Sequence, residues 1–265
     1  MTAPMTQTAP ADSTQFAFEE IGLPAAPTVP RFVWAHGWGQ DRRALAPLAE
    51  ALSGQGTHLL LDFPGFGESA PPPEAWDTGD YADAAAELIA SRPPAAKTVW
   101  IGHSFGCRVG LQIAARHPEA VDGLFLVAGA GLPRQRSLSE RVRLGMRVRT
   151  FKALKRAAPV LGLDVETLRR RFGSRDYANA GELRAVLAKV VSEDLSEVAR
   201  TVQCPVHLVY GENDTETPPD IGERLSRLIP NADLTLLPRH DHYSVLAGGK
   251  HQVLKRLRDF VETVG

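Results

Sequence analysis

The sequence predicts an α/β protein: a mostly parallel sheet with helices on both faces and a helical insertion between two late strands. Short apolar runs bounded by Gly, Asp or Pro alternate with helical patterns from Phe32 onward. Such alternation implies βαβ crossovers, which cover both faces of a parallel sheet. It lapses once, between Ala128 and Val206, where helical patterning runs on without a convincing strand.

Six runs rich in Val, Leu and Ile read as buried strands: Arg31–Ala35, Thr57–Asp62, Thr98–Gly102, Gly123–Ala128, Val206–Gly211 and Asp233–Leu237. Phe16–Glu20 is a candidate early antiparallel strand. Helical periodicity covers Arg42–Leu52, Tyr81–Ala90, Phe105–Arg116, Asp220–Leu228 and His251–Val261. Inside the insertion, Leu183, Val186, Leu187, Val190, Val191, Leu195 and Val198 predict an amphipathic stripe; Leu144, Val148, Phe151 and Leu154 predict a weaker one. An all-helical insertion there would lie over the carboxyl ends of the strands, where open α/β sheets bind ligands. The expected organisation is a disordered leader over 1–15, a core of 16–133 and 201–265, and a helical cap over 134–200.

The composition, 43% hydrophobic and 23% charged, is that of an ordinary soluble domain, and a net charge of −1 argues against a general nucleic-acid binder. Cys107 and Cys204 belong to no CxxC or Cys/His cluster, so both read as small buried apolar residues and no metal is expected. No stretch approaches the roughly 18 apolar residues of a membrane helix. Residues 1–15 lack the apolar run of a secretion signal, so a cytoplasmic location is expected.

Chemistry concentrates in Gly102-His103-Ser104-Phe105-Gly106, a G-x-S-x-G between a predicted strand and a predicted helix. A serine hydroxyl is a weak nucleophile and must be exposed beside a base. A sharp strand-to-helix turn provides that exposure, and small residues on either side let the backbone close around it. Acyl transfer also needs donors for the oxyanion. The backbone N–H of Phe105 follows from the turn, and His36-Gly37-Trp38-Gly39, after an early strand, offers the N–H of Trp38. An acid is expected after Val206–Gly211, where Asp214 competes with Glu212 and Glu216. A base is expected after Asp233–Leu237, where His242 competes with His240. The order Ser, Asp, His separates this arrangement from the chymotrypsin and subtilisin types.

In chain order, His36-Gly37-Trp38-Gly39, Asp62-Phe63-Pro64-Gly65-Phe66-Gly67-Glu68-Ser69, Gly102-His103-Ser104-Phe105-Gly106, Gly211-Glu212-Asn213-Asp214 and Asp241-His242 resemble the α/β-hydrolase superfamily. The resemblance runs from about Phe32 to the C-terminus and is weakest in the insertion. Its opening motifs are most similar to those of the pimeloyl-carrier-protein methyl ester carboxylesterases and related small esterases. The resemblance implies a nucleophile at Ser104, an acid at Asp214, a base at His242, a loop-fixing role for Asp62, and no cofactor. Two positions depart from the family pattern: Asp241 replaces the glycine before the base, and Cys107 replaces the second glycine after the turn. Haloalkane dehalogenases and epoxide hydrolases of this fold carry a carboxylate where Ser104 stands, so neither activity is expected.

The expected activity is hydrolysis of a carboxylic ester through an acyl-enzyme. Thioester or C–C bond cleavage on the same residues is an alternative, as is a ligand-binding protein that uses only the pocket. Between Arg134 and Arg175, thirteen basic residues face only Glu140, Asp164 and Glu166, a local charge of +10. That excess reads either as a solvated lid or as a field that draws in an anionic ester or an acidic carrier protein.

Overall fold

A computed structural model describes residues 16–135, 137–161, 164 and 175–264; the expected leader and the basic residues Arg136, Arg169, Arg170 and Arg171 lie outside them. Seven strands form one open sheet: β1 (Ala17–Gly22), β2 (Arg31–Ala35), β3 (Thr57–Asp62), β4 (Thr98–His103), β5 (Gly123–Val127), β6 (Val206–Gly211) and β7 (Ala232–Leu237). Their order is β1-β3-β2-β4-β5-β6-β7, with β1 antiparallel to β3 and every other pair parallel. The central strands are buried along their whole length, as continuous apolar runs such as Phe32–Ala35 require.

Helices α1 (Ala46–Glu50), α2 (Thr78–Ala90) and α3 (Phe105–Arg116) precede the insertion. The insertion carries α4 (Leu138–Leu161), α5 (Arg175–Asn179), α6 (Arg184–Ser192) and α7 (Ser196–Thr201). Then come α8 (Pro219–Leu228), α9 (Ser244–Ala247) and α10 (Lys250–Thr263). Two cores result, one per sheet face. Tyr81, Val109, Leu111 and Leu225 pack α2, α3 and α8 on one face. Leu48, Val253, Leu257 and Phe260 pack α1 and α10 on the other. Among the described residues, no helix is long and apolar enough to cross a membrane.

Three elements differ from expectation. The Arg42–Leu52 helix splits into a short 3-10 turn over Arg42–Ala44 and the five-residue α1. Pro47 lacks an N–H and fits only the first turn of an α-helix, so α1 starts at Ala46. The second helix starts three residues early. Asp77 accepts from Gly79 N and Asp80 N (2.9 and 3.1 Å) while Asp80 accepts from Asp77 N (2.8 Å), a reciprocal cap that admits the first turn.

The stripe over 183–198 is not one helix. Val186, Leu187 and Val190 are buried, but Val191 is exposed and the chain is extended at Glu193. There the Glu193 carboxylate reaches across to accept the Thr78 N–H at the start of α2 (2.9 Å), and Leu195 N donates to Gly131 O (2.8 Å). Capping a neighbouring helix replaced continuation of its own. In α4, Val148 of the weaker stripe is exposed, while Ala158 is buried.

Buried histidines on the sheet are held neutral. The Trp34 indole N–H donates to His58 Nδ1 (3.0 Å), so the imidazole proton sits on Nε2 and donates to Leu52 O (2.9 Å). Burial lowers the His58 pKa from 6.5 to about 4. The unfolded chain therefore takes up this proton first, and stability falls as the pH drops from about 6.5 toward 4. From His58 alone the expected loss at pH 5 is about 2 kcal/mol. It should be read as a lower urea midpoint at pH 5 than at pH 7, with His58 still neutral by imidazole NMR. An unchanged midpoint, or a charged His58 in the folded protein at pH 5, would contradict this.

Candidate active site

Ser104 joins β4 directly to α3 and has φ 48° and ψ −101°, a conformation L-residues seldom adopt. Its neighbours allow no alternative. A Cβ on Gly102 would stand 2.7 Å from the Gly106 backbone, and one on Gly106 would stand 2.1 Å from Ala35 O on β2. The turn is pinned by Ser104 N to Val127 O (3.0 Å), Gly106 N to His36 O (3.1 Å) and the Trp100 indole N–H to Gly106 O (2.9 Å). Ser104 is partly exposed between buried neighbours on both sides, so a strained backbone presents one hydroxyl. Cys107 is buried, and its thiol lies 3.2 Å from Gly102 O and 3.3 Å from Val127 O. Burial pushes this thiol up, leaving it a packing residue.

The Gly106–His36 bond also brings the loop after β2 against the first turn of α3. The Trp38 ring packs edge-on to Phe66 and Phe105, with centroids 4.9 and 5.6 Å apart. His36 is buried, with Nε2 accepting from Phe63 N (3.0 Å) and Nδ1 2.8 Å from Gly37 O; burial lowers its pKa and keeps it neutral. Asp62 holds the loop after β3. It accepts from Arg42 N (2.7 Å) and Glu68 N (2.9 Å) and pairs with the Arg42 guanidinium. These contacts match the loop-fixing expectation for Asp62.

Asp214 and His242 meet although 28 residues separate them: Asp214 Oδ2 lies 2.8 Å from His242 Nδ1. Asn213 N to His240 O (2.9 Å) ties the β6 and β7 loops together. Both residues are buried, at 3% and 4% exposure. Asp214 Oδ1 also accepts from Glu216 N and Thr217 N (2.8 Å each), and its Oδ2 lies 2.9 Å from the Thr217 hydroxyl, which is equally close to Ala128 O. Burial pushes this carboxyl up, but the His242 and Thr217 contacts outweigh it and hold the pKa below the ordinary value.

None of the competing side chains replaces either partner of the Asp214–His242 contact. Glu212 is exposed, and the His240 ring lies against Gly248. Glu216 Oε2 lies 3.7 Å from His242 Nε2, at the opposite edge of the imidazole from Asp214. Among the described residues, the Ser104 hydroxyl makes no hydrogen bond. Bonds between nucleophile and base are often loose in unliganded sites.

Sequence reasoning overlooked three residues here. His103, inside the G-x-S-x-G, sits beneath His242 with ring centroids 4.9 Å apart, and its Nε2 lies 3.0 Å from His242 O. Burial, then the His242 charge, lowers its pKa to about 3. Thr217 touches both Asp214 and His242, and Glu216, by sequence only a competitor for the acid, faces His242 Nε2. Position x of the motif marked His103; nothing in the spacing marked Thr217.

A cavity of about 1030 Å³ opens beside these groups, with Trp38, Phe66, Leu183, Glu182, Glu216 and Tyr243 in its wall. Leu183 and Glu182 come from the insertion, and Glu216 and Tyr243 from the loops bearing Asp214 and His242. Its described charged residues are Asp176, Glu182 and Glu216 against Arg134. Among the described residues, no three metal-ligating side chains cluster.

The chain is similar to a pimeloyl-[acyl-carrier protein] methyl ester esterase of Chromobacterium violaceum, 30% identical over 88% of this chain and 95% of the relative. The protein of the same name from Neisseria meningitidis serogroup A is 30% identical over 86% of this chain and 76% of its own length. Among solved structures, a bacterial membrane phospholipase A superposes with a TM-score of 0.73 at 22% identity, over 98% of this chain and 86% of that one. An enol-lactonase from Burkholderia xenovorans gives 0.68 at 20% identity, over 93% and 96%. The profile described as the alpha/beta hydrolase family matches residues 32–253, and with this sheet order and this strained turn the chain belongs to that family.

Proposed function

We propose that the protein is a carboxylesterase in which Ser104 attacks the ester carbonyl, His242 accepts its proton, and Asp214 orients and stabilises the imidazole. The observation that carries this reading is the buried Asp214–His242 pair at 2.8 Å on the strand edge that presents the strained Ser104. The N–H groups of Phe105 and Trp38 hold the oxyanion, since the loop of one is bonded to the turn of the other. The alcohol leaves with the proton from His242, and water then cleaves the acyl-enzyme with His242 again as base. This chemistry uses no metal or cofactor. The relatives named as methyl ester esterases favour an ester over a thioester or C–C bond. The test is turnover of p-nitrophenyl esters of increasing acyl length, together with fluorophosphonate labelling. A protein inert to both would be a ligand-binding member of the family.

The same reading makes residues 134–200 a cap on the core of 16–133 and 201–265, supported by Glu182 and Leu183 in the cavity wall. The basic stretch from Arg134 to Arg175 has a net +10, whereas the described cavity wall carries three carboxylates and one guanidinium. A basic excess along the insertion and a pocket wall of the opposite sign favour an acidic carrier protein held outside, with a neutral ester end inserted, in the cytoplasm. With such a carrier-borne ester, kcat/KM should fall steeply with salt, while a small neutral ester should barely respond. Charge reversal at Arg141, Arg149 and Arg156 should reproduce the fall at low salt. Equal salt responses of the two substrates would reduce the cap charge to surface solvation.

A further inference from the structure

We infer that Thr217 is a positioning residue for His242, its hydroxyl serving as a second acceptor for the Nδ1 proton when the imidazole becomes charged. This rests on the proposed roles of Ser104, Asp214 and His242. Thr217 is 6% exposed, and its Oγ1 has three polar neighbours: Ala128 O at 2.9 Å, Asp214 Oδ2 at 2.9 Å and His242 Nδ1 at 3.1 Å. A hydroxyl has one proton and two lone pairs. Ala128 O and an ionised Asp214 can only accept. For His242 Nε2 to take a proton from Ser104, Nδ1 must already carry one. That Nδ1–H therefore faces two oxygens, Asp214 Oδ2 at 2.8 Å and Thr217 Oγ1 at 3.1 Å.

The hydroxyl proton then has two outlets. Directed at Asp214 Oδ2, it draws charge from the oxygen that holds the imidazole. Directed at Ala128 O, it leaves a lone pair facing Nδ1–H. The second state suits the imidazolium, because hydrogen bonds with a charged partner are about twice as strong as neutral ones. Only a hydroxyl torsion separates the two states, so the site adapts to the charge on His242 without moving a heavy atom. The scaffold keeps the second outlet ready. Ala128, the residue after β5, has φ 50°, an unfavourable value for alanine, and its N–H is bonded to Val209 O (2.8 Å). Thr217 N–H is itself held by Asp214 Oδ1, so the residue is placed by the carboxylate it assists.

The test compares kcat and the pH profile of kcat/KM for p-nitrophenyl butyrate in wild type, Thr217→Val and Thr217→Ser. Valine keeps the shape and removes the hydroxyl. The other groups facing His242 are Asp214 and Glu216 on the same loop, His103 on β4, and its chain neighbours Asp241 and Tyr243; all stay in place. Thr217→Val should lower kcat about tenfold with KM little changed, since the lost bond is to a charged group. The acid limb of kcat/KM should move to lower pH by about half a unit, because the charged imidazole loses an acceptor. Thr217→Ser should restore both. If Thr217→Val does not fold, Thr217→Ala carries the same expectations. A wild-type profile in the hydroxyl-free variant, or a limb moved to higher pH, overturns the proposal. Ser104→Ala separates the two readings: if it is dead while Thr217→Val behaves as wild type, only the role of Thr217 fails; if it stays active, the underlying assignment fails.

Discussion

Ser104→Ala is expected to abolish fluorophosphonate labelling and to lower kcat on a p-nitrophenyl ester by about 10⁴–10⁶. The reason is local. The turn holds Ser104 at a positive φ that alanine would find no easier, and buried bonds to Val127 O and His36 O fix that backbone whatever the side chain. The substitution therefore removes one oxygen and leaves the fold and the backbone N–H donors of Trp38 and Phe105 in place. Residual catalysis should come only from binding and those donors. Circular dichroism and the urea midpoint should match wild type. Labelling or substantial turnover that persists in Ser104→Ala would place the nucleophile elsewhere.

Asp214→Asn should lower kcat by about 10⁴ while the protein stays folded. The donors on Asp214 dictate this. Glu216 N and Thr217 N both donate to Oδ1, so an asparagine would keep its oxygen there and turn its NH2 toward His242 Nδ1. An NH2 group can only donate, so Nδ1 would have to be bare and the proton would move to Nε2. That tautomer cannot take a proton from Ser104. His242→Ala should be comparably severe, and His240→Ala mild, since the His240 ring lies against Gly248 rather than on Asp214. Glu212→Gln, on an exposed side chain, should change kcat little. A greater loss from Glu212→Gln or from His240→Ala than from the corresponding Asp214 or His242 change would reverse these assignments.

Much of the molecule was legible as sequence because its signals are short-ranged. Each buried strand is built on a short apolar run such as Phe32–Ala35 or Leu59–Leu61, because both faces of a parallel sheet must be apolar. The turn at Ser104 was legible because Gly102 and Gly106 are demanded by contacts within a few residues or with the adjacent strand. The order Ser104, Asp214, His242 could be read from strand ends alone, since every parallel strand delivers its carboxyl end to one edge. Helix starts were less legible. The reciprocal Asp77–Asp80 cap lay in plain view three residues before the expected start of α2, and periodicity alone passed over it.

What the sequence determined by itself was the α/β class, the strand set, the strained serine and the loops on which an acid and a base could stand. Which of Asp214, Glu212 and Glu216, and which of His240 and His242, turn inward and pair was decided by the tertiary structure. These residues are near neighbours in sequence, and only the pairing of the β6 and β7 loops selects which side chains turn inward. The break at Glu193 was likewise decided at a distance, because the group it satisfies is Thr78 N–H, 115 positions earlier. Thr217 carries no motif. Its meaning comes from three partners on three different segments, Ala128, Asp214 and His242, and hydrogen bonds of that kind depend on tenths of an ångström that no spacing along the chain encodes.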